Sequence, residues 1–257
     1  MSPLLSYVLL GFVQGVTEFL PISSDGHLVL IGRWIPTPGD DLAVVVLLHI
    51  GSLAALLWAF RRELVGFVRP PREPGAMGGP GLFALIAVST LPVAVFGPTF
   101  YSAFNSAFQS PDFAAWMLIL TGVVLVTTRT FGVGTGSVNL LSAVAMGVAQ
   151  VFALLPGLSR SALTMATGFA LGVERVSVAR FSFLMAVPAI LGANIYELTK
   201  LGGIAGVDPL GIAAGIVAAF LSGLIAIRAL LFLVRRGRFE WFGVYCMAMG
   251  VLFLLTG

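Results

Sequence analysis

The chain has 257 residues, of which 58% are hydrophobic and only 10% charged, and 14 lysines and arginines against 11 acidic residues give it a formal net charge of +3. Because a soluble domain carries about 25% charged residues, this composition excludes an ordinary soluble protein and indicates an integral membrane protein. The apolar segments have close to the roughly 20 residues that an α-helix needs to cross the hydrocarbon. The sequence therefore predicts an all-α polytopic membrane protein.

Hydropathy predicts six transmembrane helices, at about 43–60, 81–103, 113–128, 179–199, 209–234 and 240–256. Two further apolar regions, 3–36 and 139–172, are each interrupted by a cluster of Pro, Ser and Gly that leaves both halves short for a crossing. Such breaks are tolerated at membrane depth where they line a cavity, so we predict two re-entrant helical hairpins. The first region lacks the features of a cleaved signal peptide, and we expect it to remain in the mature chain.

Basic loops predict the orientation, because loops rich in Lys and Arg stay in the cytoplasm. Such loops follow the first and fifth predicted spans and contain Arg61, Arg62, Arg69, Arg72, Arg235, Arg236 and Arg238. With both loops inside, the two hairpins enter from opposite faces and each is followed by three spans. This pattern is an inverted-topology repeat within a single membrane domain, with repeat 1 at about 1–130 and repeat 2 at about 138–257.

Matching residues in the two hairpins support the repeat. A Gly, a Gln, a Pro and two Ser recur in the same order, as Gly11, Gln14, Pro21, Ser23 and Ser24 and again as Gly147, Gln150, Pro156, Ser159 and Ser161. In inverted-repeat proteins the polar breaks meet near the midplane of the membrane, at the interface of the repeats. We therefore expect the two hairpin turns to build one site.

The first hairpin carries the polar stretch QGVTEFLPISSDGHL. Gln14 and Glu18 are one helical turn apart and project from the same face of a helix. There the carboxylate can act as a general acid or base, or help to hold a divalent cation. Ser23 and Ser24 lie at the break, and His27 follows three residues later. A serine near a histidine and a carboxylate is the arrangement of an activated nucleophile, although two serines in a turn are also typical of a helix cap.

The second hairpin supplies a positive charge in the stretch PGLSRSALT. Arg160 lies between Ser159 and Ser161 at the expected start of a helix, and Thr164 follows one turn later. A guanidinium binds two phosphate oxygens at once, and a helix N-terminus adds unpaired N–H donors. The second break therefore predicts an anion site.

Three other residues have simpler interpretations. Asp25, beside Gly26, is interpreted as a turn residue, His49 as a hydrogen-bonded interior residue, and Cys246 as inert. Two histidines and one cysteine give little support to a zinc site. The chain has no phosphate-binding glycine loop and no basic, aromatic-rich patch for nucleic acid.

Together the two breaks place a serine, a histidine and a carboxylate opposite an arginine in a lipid-embedded cavity. This set of groups predicts phosphoryl transfer to serine or water from a phosphate attached to a lipid. The competing prediction is a transporter or flippase of a lipid phosphate or small anion, because transporters share the inverted-repeat architecture.

The two stretches resemble the (E/Q)xxxE and PGxSRSxxT signatures of undecaprenyl-diphosphate phosphatase, the bacitracin-resistance family of membrane phosphatases. The likeness extends through 48–60, 147–161 and 179–193 and covers most of the chain. It implies hydrolysis of the polyprenyl lipid undecaprenyl diphosphate to the monophosphate carrier of peptidoglycan synthesis. It also implies a multi-pass protein of the inner (plasma) membrane, a site that opens to the outer (periplasmic) face, and a divalent cation, Mg²⁺ or Ca²⁺.

Carried onto this chain, the resemblance implies that Ser24 is the nucleophile and that Glu18 and His27 are its acid/base partners. It assigns Arg160 to catalysis and to phosphate binding. The remaining residues of the implied substrate-binding set are Gln14, Ser23, Ser159, Ser161 and Thr164.

Two positions depart from the family pattern. Gln14 stands where the family often has Glu, and Asp25 stands where a small hydroxyl residue is common. Glu18 is then the one predicted protein ligand of the cation, and the other ligands stay open. The assembly state, monomer or homodimer, is open as well.

Overall fold

The computed structural model describes residues 2–32, 34–35, 41–66, 79–200 and 207–256. Arg69 and Arg72, two residues of a loop that we predict to be cytoplasmic, lie outside these ranges. So do the end of the first predicted hairpin and most of the loop after the fourth predicted span. In the described ranges the chain is almost entirely helical, and its β pairing is limited to an isolated parallel bridge between Gly136 and Val173.

The helices of the described chain are α1 (Pro3–Phe19), α2 (Ser24–Ile31), α3 (Asp41–Ala59), α4 (Arg61–Val65), α5 (Gly79–Thr99), α6 (Tyr101–Phe108), α7 (Pro111–Thr127), α8 (Leu140–Phe152), α9 (Arg160–Ala170), α10 (Arg175–Lys200), α11 (Pro209–Arg236) and α12 (Glu240–Thr256). A 3₁₀ turn at Thr128–Thr130 continues α7. The prediction of an all-α protein is confirmed.

Four helices are long and apolar enough to cross a membrane: α5, α7 with its 3₁₀ extension, α10 and α11, with 21, 20, 26 and 28 residues. They correspond to four of the six predicted spans. The other two predicted spans form α3 and α12, which are apolar but shorter in their described parts. The chain is therefore a multi-pass membrane protein by the length and composition of its helices.

One predicted boundary is wrong. The span expected at 81–103 ends as α5 at Thr99, and a separate helix, α6, begins at Tyr101. Pro98 lies just before the break and cannot donate the backbone hydrogen bond that would continue a regular helix. Phe100 then takes a non-helical conformation (φ −108°, ψ 19°).

Both polar breaks separate two helices, as predicted. In the first, Ser23 caps α2 by accepting a hydrogen bond from the backbone N–H of Gly26 at 3.2 Å. In the second, Ser159 caps α9 by accepting one from the N–H of Ala162 at 3.3 Å. The short polar side chains compensate amide groups that have no partner within the helix, which explains why helices begin there.

Contacts between helices show which helix ends lie on the same side of the bundle. At one end, a cavity is lined jointly by Arg61 after α3, Arg180 near the start of α10 and Arg228 near the end of α11. At the other end, the backbone N–H of Asp208 donates to the Tyr7 hydroxyl at 3.2 Å, which joins the starts of α11 and α1. The end of α3 therefore lies beside the C-terminal part of α11.

Small residues let the hairpin helices approach the long helices closely. A Cβ added at Gly11 in α1 would overlap the backbone oxygen of Gly215 in α11. A Cβ added at Gly147 in α8 would overlap the backbone oxygen of Ser89 in α5. The first helix of each hairpin thus packs, through an equivalent glycine, against a long helix from the other half of the chain.

We expect Gly11→Ala to lower the free energy of unfolding by about 1–3 kcal/mol, because the new methyl group meets backbone that cannot move aside. The midpoint of thermal unfolding in detergent measures this loss. Gly192→Ala in α10 is the matched control, since no described atom lies within 4 Å of its added Cβ. Equal losses in both variants would contradict the close approach of α1 and α11.

Candidate active site

The turns of the two hairpins meet inside the bundle. Arg160 Nη2 donates to Glu18 Oε1 at 3.1 Å, and Ser161 Oγ donates to the backbone oxygen of Leu20 at 3.1 Å. The turns also touch through glycines, since a Cβ added at Gly26 would lie 2.9 Å from the Cα of Gly157. The predicted convergence of the two polar breaks is therefore observed.

Glu18 is the centre of this cluster. It is buried near the end of α1 and accepts hydrogen bonds from Ser24 Oγ at 2.7 Å, Arg160 Nη2 at 3.1 Å and Gln14 Nε2 at 3.3 Å. A buried carboxylate is costly unless it is paired and hydrogen-bonded, and here an opposite charge and two neutral donors satisfy it. Helical spacing places Gln14 one turn before Glu18 on the same face, as predicted.

Ser24 begins α2 directly after a strained residue. Ser23 has φ 67°, and no other described residue except glycine has a positive φ. Such a conformation costs on the order of 1–3 kcal/mol for a residue with a side chain and persists only where surrounding structure holds it. The sharp turn directs the Ser24 hydroxyl back at Glu18, so the prediction that Ser24 and Glu18 share one site matches their positions.

The second turn holds Arg160 through several bonds. The Arg160 carbonyl accepts from Thr164 Oγ1 at 2.7 Å, and Arg160 Nη1 donates to the Ser182 carbonyl at 3.4 Å. Thr164 Oγ1 also lies 2.7 Å from Ser182 Oγ. Ser159 Oγ lies 3.1 Å from Ser161 Oγ. Ser159, Ser161 and Thr164 thus lie in one hydrogen-bonded turn with Arg160, and α10 contributes Ser182, which the sequence did not predict.

Both ring nitrogens of His27 bond groups other than Ser24 and Glu18. Its Nδ1 donates to the Ser23 carbonyl at 2.8 Å, and its Nε2 lies 2.8 Å from the hydroxyl of Tyr245 in α12. The two rings stack with centroids 5.7 Å apart. In this arrangement His27 supports the strained turn, and the acid/base role that the sequence predicts for it stays a prediction.

His49 in α3 is the histidine that faces the carboxylates. Its Nδ1 donates to the Val45 carbonyl at 2.8 Å, as expected of an interior residue. Its Nε2 lies 3.6 Å from Glu18 Oε2 and 4.0 Å from Asp25 Oδ1. Sequence reasoning therefore missed the positions of His49 beside Glu18 and of Asp25 beside His49, although ionisable groups inside apolar helices are functional candidates by default.

The donors around Glu18 suit a hard cation. No group of three or more His, Cys, Asp or Glu side chains able to hold a metal occurs in the described part of the chain. However, the buried Oε1 of Gln14 has no hydrogen-bond partner there, and it belongs to the same side chain that bonds Glu18. Amide and carboxylate oxygens are ligands that Mg²⁺ and Ca²⁺ prefer, and Mg²⁺ sites often need only one or two carboxylates plus substrate phosphates.

Comparisons with known proteins show what the whole chain is similar to. Residues 7–252 match the family described as bacitracin resistance protein BacA. A protein from Rhodopirellula baltica named undecaprenyl-diphosphatase is 35% identical, over 99% of this chain and 98% of its own. Proteins of the same name from Desulfatibacillum aliphaticivorans and Syntrophotalea carbinolica are 38% and 40% identical, over 98% and 96% of each chain.

A double-mutant cycle tests the pairing of Glu18 with Arg160. Removing either partner leaves a buried charge uncompensated, so we expect Glu18→Gln and Arg160→Gln each to destabilise the protein strongly. The double variant should lose about 1–3 kcal/mol less than the sum of the single losses. Thermal unfolding of all four proteins in detergent measures the coupling.

The control cycle pairs Arg160→Gln with Glu197→Gln, a carboxylate that bonds Tyr101 elsewhere in the bundle. The losses of unfolding free energy in these two single variants should add in their double variant. Additivity in both cycles would show that Glu18 and Arg160 are not coupled.

Proposed function

This chain belongs to the bacitracin resistance protein BacA family, and we propose that the meeting point of its two hairpin turns is where it hydrolyses undecaprenyl diphosphate. The enzyme is an undecaprenyl-diphosphatase, which releases undecaprenyl phosphate and inorganic phosphate and so returns the carrier lipid to cell-wall synthesis. Full-length relatives of 34–40% identity carry that name, which favours the enzyme over a transporter or flippase. The observation that carries the site assignment is Glu18 bonded to Ser24 through one oxygen and to Arg160 through the other.

Ser24 is the proposed nucleophile. Its Oγ attacks the terminal phosphorus, and its proton passes along the existing 2.7 Å hydrogen bond to Glu18. The bond between that phosphorus and the bridging oxygen breaks, and undecaprenyl phosphate leaves with the bridging oxygen. Water then attacks the phosphoserine, which releases inorganic phosphate and returns a proton to Ser24.

Arg160 is the proposed phosphate clamp. In the free site its Nη2 donates to Glu18, and a diphosphate that enters offers oxygens with more negative charge. Its planar fork binds two phosphoryl oxygens and stabilises the charge that develops there in the transition state. Moving one donor from Glu18 to the phosphate would leave that carboxylate free to accept the Ser24 proton.

The remaining predicted residues support this arrangement. The hydroxyls of Ser159, Ser161 and Thr164 bond to other groups of the protein, so we propose that they hold the turn that carries Arg160. Direct contact of these hydroxyls with phosphate would require those bonds to be exchanged. Ser23 holds the opposite turn in the same way through its cap of α2.

We further propose that a divalent cation, Mg²⁺ or Ca²⁺, is held by Glu18 and by the free Oε1 of Gln14. When bound, it would neutralise charge on the diphosphate oxygens. Glu18 is the one cation ligand that the sequence predicts. Gln14, which departs from the common family pattern, is the second proposed ligand.

The proposed topology is six spans and two re-entrant hairpins in one membrane domain, repeated with inverted polarity at about 1–130 and 138–257. Two packing contacts support it, that of Gly11 with Gly215 and that of Gly147 with Ser89. The proposed repeat relates one contact to the other. The clustering of Arg61 with the end of α11 supports a cytoplasmic assignment of that end. The protein would then lie in the inner membrane with its site opening to the outer face.

We expect Ser24→Ala and Arg160→Ala each to lower phosphate release from undecaprenyl diphosphate by about 100-fold or more. The first removes the attacking oxygen and the second removes the phosphate clamp. Time-resolved phosphate release in detergent measures both. Ser106→Ala, which changes an exposed serine of α6, is the matched control and should keep wild-type turnover. Wild-type turnover in the Ser24 and Arg160 variants would overturn the mechanism.

Cation dependence tests the role of Gln14. A chelator should abolish phosphate release, and added Mg²⁺ or Ca²⁺ should restore it. Gln14→Glu adds a second carboxylate and should lower the cation concentration that gives half-maximal activity, whereas Gln14→Leu should raise it. Gln109→Glu, an exposed change at the end of α6, should have no effect. Full activity in the chelator would exclude the cation.

A further inference from the structure

A cavity of about 260 Å³ lies between the end of α3, the start of α10 and the C-terminal part of α11. It shares no lining residue with the cluster around Glu18. Three arginines line it, Arg61, Arg180 and Arg228, against a single acidic residue, Glu63. The cavity therefore has an excess of positive charge that the established reaction does not use.

Arg228 lacks a carboxylate partner. No acidic group of the described chain lies within ion-pair distance of Arg180 or Arg228. Arg180 does interact electrostatically with Glu174, just before α10. Arg61 is placed by the protein itself, since its Nη1 donates to the Trp58 carbonyl at 2.7 Å and its guanidinium lies 4.8 Å from the Trp58 ring. The cavity thus has one guanidinium group fixed by the protein and two that form no ion pair.

The surroundings of Arg228 indicate that the missing partner belongs to the membrane. Arg228 lies eight residues before the end of α11 at Arg236. Leu224, Ile227 and Leu231 line the cavity beside it. A charge beside apolar side chains, in a helix long enough to span the membrane, is costly unless an anion reaches it. The phosphate of a lipid headgroup lies at the boundary between water and hydrocarbon, with acyl chains that can follow the apolar side chains.

We propose that this cavity binds the phosphate headgroup of an anionic phospholipid. Guanidinium groups bind phosphate through paired hydrogen bonds, and basic pockets between transmembrane helices suit anionic headgroups. A volume of about 260 Å³ is below the usual range for pockets that enclose a whole small molecule, and it suits a headgroup whose tails lie outside. Trp58, which is 55% exposed beside Arg61, has the amphipathic ring typical of the membrane interface.

Native mass spectrometry of the detergent-solubilised protein tests this proposal, with phosphatidylglycerol compared against phosphatidylcholine of the same acyl chains. The wild-type protein should retain phosphatidylglycerol in about tenfold preference to phosphatidylcholine, and Arg180→Gln with Arg228→Gln should remove that preference. Arg236→Gln is the matched control, because Arg236 lies on the same helix over the Phe232 ring and outside the cavity. It should retain phosphatidylglycerol as the wild type does.

Turnover of undecaprenyl diphosphate reports whether the double variant is folded. If turnover is lost, Arg180→Lys with Arg228→Lys replaces it, since lysine keeps the charge without the paired geometry, and it should bind phosphatidylglycerol more weakly than wild type. Equal retention of the two lipids by the wild-type protein would overturn the proposal. So would wild-type retention by the variants, or displacement of the lipid by inorganic phosphate alone, which would assign the cavity to a free anion.

Discussion

The ion pair between Glu18 and Arg160 is the interaction on which the site depends. The two residues are 142 positions apart in the sequence and belong to turns in opposite halves of the chain. Each would be a costly buried charge without the other, so the pair forms only if both helices break at the right depth. The glycine contacts of α1 with α11 and of α8 with α5 fix that depth by holding each hairpin against a long helix.

The same hydrogen bonds compensate the buried polar groups of the site. Glu18 is satisfied by Ser24, Gln14 and Arg160, and the hydroxyls of the second turn bond to protein groups. A diphosphate would compete for donors that are already in place and would not have to order a flexible loop. Because the Arg160 guanidinium is already held beside the site, it has only to exchange a bond with Glu18 for one with phosphate, which suits it to stabilise the charge of the transition state.

Residues within one helix or one turn were predictable, and the inverted repeat also predicted that the two breaks meet. The contacts that the other helices make with this site were not predictable. The periodicity of a single helix places Gln14 beside Glu18, and cap residues explain why helices begin after Ser23 and Ser159. The position of His49 beside Glu18 depends on how α3 is rotated and packed, and the bond from His27 to Tyr245 depends on the packing of α12. No local pattern in the sequence encodes those rotations, so the sequence offers no reason to place His49 in the site.

The central claim is that Ser24 carries the phosphoryl group before water receives it. The stereochemical course at the terminal phosphorus tests it most directly, and does not require an intermediate to accumulate. The substrate is undecaprenyl diphosphate whose terminal phosphoryl group carries one sulfur and one heavy oxygen isotope, and hydrolysis in water of the third oxygen isotope releases a chiral inorganic thiophosphate. Each in-line displacement inverts the phosphorus, so two displacements through a phosphoserine predict net retention. Net inversion would show direct attack by water and would contradict the assignment of Ser24.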